Sequence, residues 1–149
     1  MLMCREIRQF QSYDDMAIAH QKDVDDFPVC WIFGSKTTEE IKEELFKALG
    51  TRKFEDVMKS PYGGIIRKSD YEDLEAMFAH HATERKHFWE NEDNLTQAIV
   101  REMYNHEFGY TQVPMDTLMA LGKTANAFLD EKFARCWDRA KKKVLKEAA

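Results

Sequence analysis

PVCWIFGSKTTEEIKEELFKALG, residues 28–50, holds the transition that decides the fold. Its first part, PVCWIF, is a short continuous apolar run with β-branched and aromatic residues, ended by Gly34. That composition and length predict a buried strand. The second part carries helix signals at both ends. Thr37 stands where an N-cap belongs, and Glu40, three residues on, completes a capping box. Ile41, Leu45 and Leu49 recur at helical spacing, and Gly50 supplies the stop. Strand and helix therefore both belong in this chain.

Working outward, residues 51–62 read as a connection with a helical turn at 54–58. Pro61 and the Gly63–Gly64 pair mark a tight turn, after which Ile65 and Ile66 make a brief strand. Ser69 is the expected cap of a helix over 70–89, with Tyr71, Leu74, Phe78, His81, Arg85 and Phe88 on its inner stripe. A polar break, NED (91–93), precedes a third helix over 93–107, which Gly109 is expected to stop. YTQV (110–113) reads as a last short strand. Pro114 suits the first turn of a short helix over 114–121, closed by Gly122. A final helix over 124–146 carries a stripe that includes Phe128, Phe133, Cys136 and Trp137. The sum is a mostly helical α+β protein of about five helices and a small sheet of up to three short strands.

The expected organisation is one globular domain over 28–122. Residues 1–27 form an N-terminal extension. Residues 123–149 form an amphipathic helix, packed on the domain or at a dimer interface. A chain of 149 residues can bury about 68–70% of its unfolded surface, enough to fold without staples. Its three cysteines, Cys4, Cys30 and Cys136, are too scattered for a disulfide framework or a zinc ribbon. Cys30 and Cys136 read as buried small hydrophobes. No apolar run reaches the roughly 20 residues that span a bilayer. The first residues, MLMCREIRQFQSYDD, lack the apolar core of a signal peptide. A cytoplasmic protein is expected, with no membrane partner.

Charge is distributed unevenly along the chain. Residues 1–28 carry three basic and six acidic groups, residues 29–122 carry 11 and 17, and residues 123–149 carry eight and four. An acidic body is thus followed by a basic tail. Direct nucleic-acid binding through the body is disfavoured, because phosphate contact needs clustered Lys and Arg. Glu39, Glu40, Glu43 and Glu44 place like charges four apart on one helix, at a cost of roughly 0.2–0.5 kcal/mol per pair. Such a face either serves solubility or complements a basic partner.

Chemistry-bearing patterns are few. NHEFGYT (105–111) follows Glu102 by three residues, so Glu102 and His106 lie one helical turn apart and can touch. The pair reads as a polar detail of the interior, with a general base and its orienting carboxylate as the catalytic alternative. His81 reads as a core histidine. His80 and His87 are separated by about 10.5 Å of helix and cannot share one ion through that helix alone. Glu84 and His87 form Glu-x-x-His, a spacing found in di-iron bundles, which require a second such pair. Glu102 and His106 are one residue too far apart to supply it. No phosphate loop and no hydrolase elbow occurs. Arg67 and Lys68 read as solvent-facing charge. No cofactor is expected.

Residues 28–122 resemble a family of small uncharacterised proteins of gut bacteria and their phages. The resemblance rests on WIF before an acidic helix, GGIIRK leading into a helix with ERK, then NHEFGYT and DTLMALG. It implies a phage- or mobile-element-type protein that inhibits a host protein, such as a nucleic-acid-handling defence complex, in the manner of anti-CRISPR proteins. That expectation is non-enzymatic. Glu39, Glu40, Glu43 and Glu44 would meet a basic host surface, and Phe133 and Trp137 would add apolar contact. Two alternatives stand beside it: a small metal-dependent hydrolase using Glu84, His87, Glu102 and His106, and a homodimeric accessory protein joined through 124–146.

Overall fold

The computed structural model describes residues 6–149. Cys4 lies outside the described residues. The element order is α1 (Tyr13–Asp26), α2 (Thr38–Leu49), β1 (Val57–Lys59), β2 (Ile65–Arg67), α3 (Tyr71–Trp89), α4 (Glu92–Asn105), α5 (Phe108–Thr111), α6 (Pro114–Ala120) and α7 (Glu131–Ala148). The mostly helical α+β class holds, with seven α-helices among the described residues in place of five. The sheet has two strands.

Local signals placed several elements correctly. Thr37 and Glu40 form the reciprocal capping box at the start of α2, and Gly50 closes it in the left-handed conformation at φ 74°. Pro114 occupies the first turn of α6. Elsewhere the structure corrects the reading. Residues 28–33 are not a strand. Cys30 alone pairs, exchanging two backbone hydrogen bonds with Ile65 at 2.8 and 2.9 Å. The true partner of β2 is β1, antiparallel, with Met58 opposite Ile66. β1 follows a single 3₁₀ turn at Phe54–Asp56. YTQV is not a strand either, since α5 covers Phe108–Thr111. α4 ends at Asn105, and the chain turns there because Glu107 takes φ 56°. Gly109 therefore does not stop α4. It sits inside α5, where an added Cβ would come within 3.0 Å of the Ala148 Cβ, so close packing on α7 explains the glycine. Ser69 lies within a 3₁₀ turn that feeds α3 and does not cap it. The stretch before α7 is likewise a 3₁₀ segment, Ala125–Leu129, and Asp130 caps α7 by accepting the Phe133 N–H at 2.9 Å.

α1 has no counterpart in the sequence reading, which set residues 1–27 apart as an extension. Only Met16 is buried along it, so no apolar stripe betrays it. Its one sequence signal is Ser12, whose Oγ accepts the Asp15 N–H at 3.1 Å, an N-cap interaction.

The chain divides into two compact units, one built on Ala19–Ala82 and the other on Arg8–Ile18 with Thr83–Ala149. The first has two small apolar clusters. Cys30, Leu45 and Leu49 are buried together with Ile32 and Ile41 packed on them, and Ile66, Leu74 and Met77 form the other. The second has one continuous core in which α4, α5, α6 and α7 bury Ile99, Met103, Phe108, Leu118, Cys136 and Val144, among others. Phe133 and Trp137 belong to that core.

Candidate functional site

Glu102 and His106 do meet, one turn apart on α4, with His106 Nε2 at 3.5 Å from Glu102 Oε2. They are not equally inward. The Glu102 side chain is 12% exposed and that of His106 37% exposed. His106 is the C-cap residue, its backbone N–H donating to the Glu102 carbonyl at 3.1 Å. The sequence reading missed the group that organises the pair. The Tyr13 hydroxyl donates to Glu102 Oε1 at 2.8 Å, and Asn105 Nδ2 donates to the same oxygen at 3.4 Å. The Tyr13 backbone N–H donates to Gln97 Oε1 at 2.7 Å, which ties the start of α1 to α4. Burial, then the hydrogen bond to the Glu102 carboxylate, push the Tyr13 phenol far above its ordinary range. Tyr13 is thus a permanent donor near neutral pH. Its partner Glu102 is a carboxylate held by neighbours, as a polar group withdrawn from water must be.

The Glu84–His87 pair is divided. Met77, His81 and Glu84 are buried on α3, so the inner stripe runs through Leu74, Met77, His81, Glu84 and Phe88 and not through Arg85. Glu84 is grasped by Arg8. The Arg8 backbone N–H and Nε donate to Oε2 at 2.8 and 2.9 Å, and Nη2 donates to Oε1 at 2.8 Å. This bidentate clasp supplies the charge and the hydrogen bonds that a buried carboxylate needs. His87 is exposed. Among the described residues no group of three or more His, Cys, Asp or Glu side chains could hold a metal ion. Glu84, His87, Glu102 and His106 are therefore not assembled into the centre that the hydrolase alternative required. His81 is buried as expected, its Nε2 2.8 Å from Asp23 Oδ2 and its ring stacked on His20 at 4.0 Å.

The four glutamates of α2 have different employments. Glu40 closes the capping box, accepting the Thr37 N–H at 3.2 Å, and that backbone bond holds its carboxyl below the usual range. Glu43 accepts from Arg52 Nε at 2.9 Å, which lowers its carboxyl likewise. Glu39 lies 3.7 Å from Lys42. Glu44 is close enough to Cys30 to add to the raising of that thiol, which burial dominates.

The aromatic residues around α2 are the larger surprise. The segment predicted to be wholly buried alternates instead. Cys30 is 2% exposed, whereas Trp31 is 54% and Phe33 75% exposed. Cys30 and Ile32 face the α2 cluster, and Trp31 and Phe33 take the other side, as alternation along extended chain dictates. The Trp31 ring lies over the glycine turn, so that a Cβ on Gly63 would come within 3.0 Å of it. On α2 itself Phe46 is exposed, with the Arg52 guanidinium 3.7 Å from its ring centre, and Lys42 sits 5.9 Å from that of Phe54. Trp31, Phe33, Phe46 and Phe54 thus share the surface of the first unit with Glu39 and Glu44.

Phe133 and Trp137 do the reverse. They were expected at a partner surface, yet they are 4% and 6% exposed. Trp137 stands edge-on to Phe108 at 5.6 Å and to Phe128 at 5.0 Å. The stripe of α7 is consumed by α4 and α5 within the chain, and it is not available to a partner or to a second copy.

Residues 12–143 match the model of DUF7659, a family of unknown function. The chain belongs to that family. The DUF7659 match takes in α1 and the greater part of α7 as well as residues 28–122. No curated protein and no solved structure matches the chain. No helix among the described residues is long and apolar enough to cross a membrane.

Proposed function

We infer that the first unit is a protein-docking module for a partner with a basic surface. The observation that carries this reading is the exposure of Trp31 and Phe33 on the same unit that carries acidic α2. Aromatic side chains supply most of the energy at protein interfaces when they enter pockets. Carboxylates elsewhere on the unit would steer and select an oppositely charged partner. Glu44 and Glu39 serve that purpose best, since Glu40 is held by its cap and Glu43 by Arg52. Basic partners include the proteins that handle nucleic acid, and occlusion of such a host defence complex is the biological form that the sequence resemblance suggests. Tyr13, Glu102 and His106 act as structural support in this reading.

The test compares capture of partners from host lysate at low salt by the wild-type chain, by Trp31→Ala and by the Glu39→Lys, Glu44→Lys double variant. A specific partner held by the wild type should be lost with Trp31→Ala. With the charge reversal it should associate at least tenfold more slowly, because rim charges act chiefly on the on-rate. Equal retention by all three proteins refutes the surface.

A further inference from the structure

A cavity of about 540 Å³ in the second unit lies against the end of α3, the start of α4 and the connection into α7. It has the size of small-molecule sites. Trp89, Phe133 and Leu95 give it an apolar wall, and Lys86, Lys123 and Lys132 bring three cationic groups to its lining. Glu90 and Asp130 also line it and offset part of that charge, yet neither carboxylate forms an ion pair with those lysines among the described residues. Asp130 is occupied in capping α7. Lys132 Nζ donates to the Glu90 backbone carbonyl at 2.7 Å and not to its carboxylate. Neither Lys86 nor Lys123 forms an ion pair among the described residues. Lys123 instead reaches over two rings, its Nζ 5.5 Å from the centre of Trp89 and 6.0 Å from that of Phe133.

We propose that this cavity binds a small phosphate-bearing molecule of mononucleotide size. Lysines bind phosphate as point charges, without the fixed fork geometry of arginine. Lys86 and Lys123 hold the anion. The aromatic wall covers the apolar part of the ligand. The first-unit docking surface takes no part, so the two readings stand or fall separately.

The experiment is calorimetric titration of the full chain with AMP, inorganic phosphate and citrate, followed in parallel by tryptophan fluorescence. AMP is expected to bind more tightly than inorganic phosphate, and citrate more weakly than either, with affinity falling as salt rises. Lys123→Ala and Lys86→Ala should each weaken AMP at least tenfold. Trp89→Ala, which removes the ring wall, should weaken it several-fold with an unchanged circular dichroism spectrum. Lys146→Ala, on the far end of α7, should bind as the wild type does. Absence of AMP binding at millimolar concentration overturns the proposal. So does citrate binding as tightly as AMP, or AMP binding that survives Lys123→Ala unchanged.

Discussion

The two units use their aromatic residues in opposite ways. In the second, Phe108, Phe133 and Trp137 meet one another inside a continuous core. In the first, Trp31, Phe33, Phe46 and Phe54 are exposed, while small aliphatic and sulfur-bearing residues fill two separate clusters. The difference lies in what each unit has to cover them. Helices α4 and α7 offer each other long apolar faces. The first unit has a two-stranded sheet and splits its apolar residues between a cluster on α2 and another on α3, and its extended segment is covered on the Cys30 and Ile32 side. The largest buried aromatic cluster thus lies in the second unit, whereas several aromatics of the first are left exposed.

The sharpest way to break this comparison is to truncate a tryptophan in each unit. Trp137→Ala should cost about 3–5 kcal/mol, the usual loss for a large core aromatic, read from denaturant midpoints. A loss below about 1 kcal/mol would mean that α7 is not part of the packed core, since ordinary surface changes stay near or below that level. Next in size is Arg8→Ala, which removes the bidentate clasp from the fully buried Glu84 carboxylate. The expected loss is about 3 kcal/mol, at the low end of the range for broken buried pairs, because the Arg8 side chain is 38% exposed and solvent reaches it. Glu84→Gln combined with Arg8→Ala should recover part of that loss, which separates stranded charge from lost packing.

Tyr13→Phe comes third, at about 2 kcal/mol near neutral pH for one hydrogen bond to a charged acceptor. It has a signature in pH as well. The folded phenol is raised above its ordinary value of 10.0. Its contribution to stability is therefore complete below pH 10.0 and is lost as pH rises toward the folded value. Alkaline denaturation should accordingly be shallower in Tyr13→Phe than in the wild type, and identical alkaline limbs would show that Glu102 holds no buried donor. The smallest effect closes the comparison. Trp31→Ala should leave stability within about 0.5 kcal/mol of the wild type, as surface changes do, while removing partner capture.

The candidate sites were only partly legible. The contact between Glu102 and His106 follows from helical spacing alone. The reading of Glu84 as a free companion of His87 failed because Arg8 lies 76 positions away, and no local pattern announces so distant a clasp. Phe133 and Trp137 were recognised as one apolar stripe, but a stripe does not say whether its cover is the same chain or another. The segment 28–33 was misread for a related reason. Its composition is that of buried chain on both sides, and its alternation appears only once α2 claims Cys30 and Ile32.

What the sequence by itself determined is the set of features closed within a turn or two of chain. The Thr37–Glu40 box, the left-handed Gly50, the first-turn Pro114 and the length of α3 depend on φ preferences and on hydrogen bonds between near neighbours. Tertiary structure alone decided which apolar surfaces would be covered, which carboxylate would receive an arginine, and that a weakly amphipathic stretch such as α1 would be helical at all. Burial depends on the partner surface brought up by distant chain, and the free energy of covering a side chain is not encoded in that side chain's own neighbourhood.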